Sequence, residues 1–214
     1  MELKDKNGLT EKEFLAQYKQ KDYPRPSLTV DVAIFSENPD DDSTSMRDSL
    51  NSISSKLELL LIKRGGHPFL GCWALPGGFV NEGEDADTAA ARELEEETGL
   101  KGIPMEQLGV YSAPGRDPRA WTVSSAYVAR IDKKLEAKAG DDAADAVWFS
   151  ISVKRRQEIL ELTATSGDSI LKSSFEVVPQ PFSTPRARVV ESDGFAFDHA
   201  QIVADAYLRA TSKF

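Results

Sequence analysis

The chain has 214 residues, 40% hydrophobic, 8% aromatic and 29% charged, a globular balance that excludes a disordered or fibrous polymer. Its longest apolar runs are four residues, as in Val32–Phe35 and Leu59–Ile62, too short for a membrane span or a signal-peptide core. One cysteine, Cys72, excludes an internal disulfide framework and a multi-cysteine zinc site, and points to the reduced cytoplasm. Lys and Arg total 26 against 35 Asp and Glu, a net charge of −9 that repels a phosphate backbone and argues against nucleic-acid binding.

Residues 1–27 form an N-terminal helical extension. Thr10 to Tyr18 is amphipathic, Thr10 with Glu13 makes a capping-box pattern, and Pro24 and Pro26 end the segment. Leu28–Ser36 alternates as a strand, Glu37–Ser55 reads as a long polar loop, and Leu57–Lys63 is a second strand ending in Arg64-Gly65-Gly66. Cys72–Leu75 is a short strand entering the sharp turn Pro76-Gly77-Gly78. Asp85–Glu97 is the clearest helix, with Asp85 as cap and Gly99 at the left-handed stop. Gln107–Ser112, Val123–Ile131 and Ala146–Ser150 read as strands and Val153–Leu162 as a helix. Thr163–Gly194 is ambiguous, a loop with a Phe175–Val178 and Ala187–Glu191 hairpin. A final helix over Asp198–Ala210 puts Ile202, Val203, Ala206, Tyr207 and Ala210 on one face. The expected division is 1–27, a main domain over 28–150, and a C-terminal extension over 151–214 packed on it, in the α/β or α+β class.

Charge concentrates on the Asp85–Glu97 helix. Between Glu82 and Glu97 stand eight acids and one base, Arg92, a local −7 in sixteen residues. Glu93, Glu96 and Glu97 share an arc of about 100°. Glu93 and Glu97 are i and i+4, so like charges face each other. They also occupy the last turn, where the helix dipole disfavours anions. A solvated acidic face is the ordinary explanation of such a run. The alternative is a site that expects cations, since clustered carboxylates are what magnesium requires.

The spacing decides between them: Gly78, five residues, Glu84, seven residues, Arg92-Glu93-Leu94, one residue, Glu96-Glu97, one residue, Gly99-Leu100. This resembles the 23-residue box of the Nudix hydrolases at every defined position, and Trp73-Ala74-Leu75-Pro76-Gly77-Gly78 resembles the strand and turn that precede it. The resemblance covers roughly Ser27 to Ser150. It implies an α/β/α sandwich with a mixed β-sheet, and attack of water on a pyrophosphate assisted by Mg²⁺ or Mn²⁺. It further implies Glu93 and Glu97 as principal metal ligands, Glu96 as a further ligand or base, and Gly78 as a backbone ligand. Arg92 would orient a box glutamate, and Glu84 would hold the loop or a metal-bound water. Such chemistry needs charge neutralisation and positioning more than a covalent nucleophile. Cys72 fits a core position, and His67 and His199 fit structural ones. The general base is open among Glu96, Glu82, Asp141 and Asp142.

Substrate choice lies outside the box. Pro114 and the following Gly115-Arg116-Asp117-Pro118-Arg119 resemble the ADP-ribose pyrophosphatase group, which implies hydrolysis of ADP-ribose to AMP and ribose 5-phosphate. Arg116 and Arg119 suit a phosphate clamp, joined by Arg64. Trp121, Tyr111 or Phe69 could stack on adenine, or simply pack in the core. A nucleoside triphosphate, NADH, a dinucleoside polyphosphate or a sugar nucleotide are alternative substrates. A non-catalytic, ADP-ribose-sensing regulator is a further alternative. A small-molecule nucleotide is thus the expected partner, without nucleic acid or membrane, and dimers are common in the ADP-ribose group.

Overall fold

The computed structural model describes residues 2–19, 21–37, 52–53, 57–138, 140 and 143–212. In chain order they form α1 (Glu11–Gln17), β1 (Ser27–Glu37), β2 (Ser52–Ile53), β3 (Leu57–Arg64), β4 (Trp73–Ala74), β5 (Gly77–Phe79) and α2 (Ala86–Thr98). Then come β6 (Glu106–Tyr111), β7 (Thr122–Ile131), β8 (Ala143–Arg156), β9 (Ile159–Ser166), β10 (Ser169–Val178), β11 (Arg186–Asp193) and α3 (His199–Thr211). The capping box at Thr10 is formed in both directions, yet α1 buries none of its residues.

One mixed sheet carries the order β11-β10-β9-β8-β3-β1-β7-β6, with β2, β4 and β5 paired to its flanks. Only β1 and β7 run parallel among the paired strands; the rest are antiparallel. The two-residue period of β1 builds both layers. Val30, Val32 and Ile34 point to α2 with Leu60, Ala90 and Leu94. Ala33 and Phe35 point to α3 with Leu59, Leu61, Ile202 and Val203. The result is the expected α/β/α sandwich.

The chain departs from its sequence reading after Phe149. Val153–Leu162 is not a helix: β8 runs on to Arg156, turns through Gln157 and Glu158, and returns as β9. The expected boundary at residue 150 therefore falls inside β8, and 151–214 is not a helical appendage but a continuation of the sheet. Thr163–Gly194 is mostly strand, with a seven-residue connection over 179–185, and its expected hairpin is the β10–β11 pair. These strands curl the sheet around α3. The buried Asp205 of α3 accepts from Tyr111 Oη of β6 (2.7 Å) and from Arg186 of β11 (2.8 Å). It thereby ties together strands at opposite ends of the sheet order. Most of the Glu37–Ser55 loop, together with Asp141 and Asp142, lies outside the described residues.

Candidate active site

The site begins where β1, the turn after β4 and α2 meet. Asp85 caps α2 by accepting from Thr88 N–H (2.7 Å), and Gly99 ends it in the left-handed conformation. Beyond it, Lys138 and Gly140 donate backbone N–H groups to the Thr98 and Glu97 carbonyls (2.9 and 3.1 Å), so the last turn is covered by the chain entering β8. The Pro76–Gly78 turn approaches from the other side. Gly77 N–H donates to Glu97 Oε2 at 2.7 Å. At Gly78 a Cβ would run into the Glu93 carboxylate, and at Gly77 into the Val30 carbonyl. Both glycines are required because side chain and backbone occupy the space a Cβ would need.

Arg92 organises the opposite edge. Its guanidinium donates to both carboxylate oxygens of Glu84 (2.9 and 3.0 Å), to Glu93 (2.7 Å), to Glu96 (3.0 Å) and to the Phe79 carbonyl (2.9 Å). Arg92, with the Asn81 backbone N–H, holds the Glu84 carboxyl down at about 2. Glu97 behaves in the opposite way. Burial, with repulsion from Glu93 and Asp31, pushes it up to about 8 even though Gly77 N–H opposes the shift. Burial pushes Glu93 up as well, against the pull of Arg92.

Two crowded, partly desolvated carboxylates stand beside an open backbone turn, and Arg92 on Glu93 and Arg64 near Glu97 do not offset the burial that raises both, so a divalent ion fits the remaining deficit. Glu93, Glu97 and the Gly78 carbonyl are the groups that could hold it. Among the described residues no three His, Cys, Asp or Glu side chains converge as a ready-made cage. Glu96 is turned outward, 57% exposed, onto Arg92. Glu82 is exposed in the turn before α2.

Next to the glycine turn lies a cavity of about 60 Å³, lined in part by Arg64, Phe79, Arg119 and Phe197. At about 30 Å³ per water that is the space of a couple of waters. A larger hollow of about 860 Å³ sits on the β8–β11 strands among Lys154, Glu161, Lys172 and Asp193. Its lining is mixed in sign and includes no box residue, so it is not the candidate site.

The predicted substrate residues divide. Arg119 pairs with Asp117 (2.8 Å), stays 44% exposed, and lies 5.5 Å from the ring centroids of both Phe79 and Phe197. Arg64 lies 4.9 Å from the Phe197 ring, and burial and the Arg119 charge both pull its pKa down. These two cations line the cavity, as does Arg116. Arg116 does not fit the expected clamp: its side chain is 5% exposed and its guanidinium is engaged by Asp198 (2.7 Å) and Asp31 (3.3 Å). It braces β1 to the start of α3. Trp121 is 57% exposed and outside the cavity lining. Tyr111 is buried with its hydroxyl on Asp205, so it packs rather than stacks on a base.

Two residues missed by the sequence reading, Asp31 and Phe197, also line the cavity, together with His199, which the sequence reading places in a structural role. Asp31 is a lone charge in an apolar strand, a signal that it must be paired. Burial raises its pKa, but His199, Ser124 and Arg116 together outweigh burial and hold it below the ordinary value. Phe197 has φ 50 and Phe69 φ 61, left-handed conformations that bulky residues seldom adopt, and their rings meet at 4.8 Å. Strain of this kind persists where the surroundings enforce it, commonly at ligand sites. No sequence periodicity announces Phe197 or His199, because the approach of Gly194–His199 to β4 is purely tertiary.

Comparison with known proteins agrees with the geometry. The family described as NUDIX domain matches residues 52–162. A solved MutT/nudix family protein from Enterococcus faecalis is 34% identical with a TM-score of 0.73, covering 96% of this chain and 71% of that one. An ADP-ribose pyrophosphatase of Methanocaldococcus jannaschii is 48% identical over 95 residues, 44% of this chain and 56% of that protein. The ADPR responsive transcriptional repressor NtrR of Acinetobacter baylyi is 35% identical over 147 residues, 68% of this chain and 53% of that protein. The chain spans about half the length of these two curated relatives.

Proposed function

The chain belongs to the NUDIX family, and from that premise we propose that it is a metal-dependent pyrophosphohydrolase that splits ADP-ribose into AMP and ribose 5-phosphate. The observation that carries the reading is the pairing of Glu93 and Glu97 against the Gly77–Gly78 turn, with Arg92 fixing the acids around it. In this reading Glu93, Glu97 and the Gly78 carbonyl hold Mg²⁺ or Mn²⁺, which neutralises phosphate charge and activates water. Glu84 and Arg92 keep the box in shape, Glu96 is the base or a further ligand, and Arg64 and Arg119 meet the phosphates. ADP-ribose is favoured because two relatives named for that ligand are 48% and 35% identical over 95 and 147 residues.

The test is a panel of ADP-ribose, NADH, ATP and dGTP with Mg²⁺ or Mn²⁺, products identified by chromatography. AMP with ribose 5-phosphate in metal-dependent excess is expected. A clear preference for a triphosphate would retire the substrate and leave the reaction class. A second reading, an ADP-ribose-sensing module, draws on the repressor match, which covers more of this chain than the pyrophosphatase match does. The intact box favours hydrolysis. ADP-ribose that binds tightly without turnover would favour sensing. No helix among the described residues is long and apolar enough to cross a membrane.

A further inference from the structure

The segment Gly194–Ala196 meets β4 through an isolated parallel bridge between Trp73 and Phe195, and α3 begins at His199. Trp73 N–H donates to the Gly194 carbonyl (3.1 Å) and Ala196 N–H to the Trp73 carbonyl (2.8 Å). At the next rung a side chain replaces the backbone acceptor: Leu75 N–H donates to His199 Nδ1 at 2.9 Å, with both residues buried. Because Nδ1 accepts, Nε2 carries the ring proton, and it faces Asp31 Oδ1 at 3.3 Å. Asp31 is itself in register opposite Gly77 on β5. Pro76 has no N–H but its carbonyl accepts from Val32 N–H (2.8 Å), and donors flank it on either side. Leu75 bonds to His199 before it, and Gly77 bonds to Glu97 after it.

We propose that His199, which lies outside the matched domain segment, is a positioning residue for the metal-binding turn, acting on Gly77 and Gly78 through the Leu75 amide. The proposal rests on the reading of that turn as the metal cradle. Its physical content is that a buried donor without an acceptor is costly, so loss of Nδ1 lets the Leu75–Gly78 strand relax. An ångström of movement there displaces both the Gly78 carbonyl and the Gly77 contact to Glu97, and errors of that size are what active sites do not tolerate.

Two polar variants separate this role from simple packing. His199→Asn keeps an acceptor near the Nδ1 position, whereas His199→Gln keeps a donor near Nε2 and loses that acceptor. The substrate-free chain is titrated with Mn²⁺ by electron paramagnetic resonance, and exchange of the Leu75 amide is followed in the metal-free protein. His199→Asn should bind Mn²⁺ within about threefold of wild type and His199→Gln about tenfold more weakly, the size of one buried hydrogen bond. The Leu75 amide should exchange faster in the Gln variant alone. Equal Mn²⁺ affinity in the two variants, or equal Leu75 protection, overturns the proposal. The Asn–Gln difference in a chain that hydrolyses no pyrophosphate would retire the functional reading and leave this one standing. A wild-type chain that binds no Mn²⁺ overturns both.

Discussion

Glu97 is held by one backbone N–H and crowded by Glu93 and Asp31, so its charge is stabilised by little except an incoming cation. Glu97→Gln keeps the shape and removes the charge. Turnover should fall about a hundredfold or more, since metal neutralisation and water activation each carry several kcal/mol. The metal-free fold should melt no lower than wild type, because burial disfavours the Glu97 carboxylate enough to push it up to about 8 and Gln carries no such cost. Undiminished turnover would remove Glu97 from the ligand set. Asp31 is the reverse case, a buried charge well supplied with partners. Asp31→Asn breaks its ion pair with Arg116 and should cost roughly 3 kcal/mol in urea unfolding, the low end for a buried pair because Asp198 still holds Arg116. The sign of the pH dependence follows from the lowered pKa. The Asp31 contribution is present above its ordinary value of 3.8 and is lost as pH falls through the folded value. The stability gap between wild type and Asp31→Asn should therefore be flat from pH 5 to 7 and close below about pH 4. A gap that widens in acid would contradict the pairing.

At the scale of elements, what could be read from the sequence was what local chemistry decides. Helix α2 is legible because Asp85, the alanines and Gly99 act within a few residues of one another, and the box lies on it. β1 and β3 are legible from apolar runs, and α3 from its buried face. The β8–β9 hairpin was not, because Val153-Lys154-Arg155-Arg156-Gln157-Glu158 is rich in helix formers and its turn has neither Gly nor Asn. Gln157 takes φ 57 there, a conformation imposed by pairing on both sides of the turn. The alternation of Leu160, Leu162 and Ala164, all buried, was the available strand signal. This makes a discriminating substitution. Gln157→Gly in a helix interior would cost about 1 kcal/mol. In the hairpin it relieves a left-handed side chain, offset by chain entropy, and should be neutral or stabilising by up to about 0.5 kcal/mol. The urea midpoint decides: a fall of the helical size would contradict the hairpin. For the same reason the site was only half legible. The acids sit in one local box, whereas Asp31, Phe197 and His199 come together only through tertiary packing between β1, β4 and the chain entering α3.

At the scale of the molecule, net charge and its distribution bear on what the surface can bind. The chain carries −9 overall. Many of its arginines are already paired on the structure: Arg130 with Glu37, Arg156 with Glu161, Arg186 with Asp205, Arg188 with Glu176 and Arg209 with Glu106. The arginines of these pairs lie on β7, β8, β11 and α3. The elements after β8 curl around α3 and bury its apolar face, so α3 is a core element rather than an exposed recognition helix. Binding to duplex DNA depends on releasing counterions by neutralising phosphates, and paired arginines on an acidic surface release few. This chain should therefore give no gel shift up to about 10 μM at about 150 mM salt, where even non-specific binders begin to show. Adding ADP-ribose should change nothing. A sequence-specific shift at nanomolar protein, reversed by ADP-ribose, would carry the opposite conclusion: the cavity beside Gly78 would then serve as a sensor, and hydrolysis would be secondary to release from DNA.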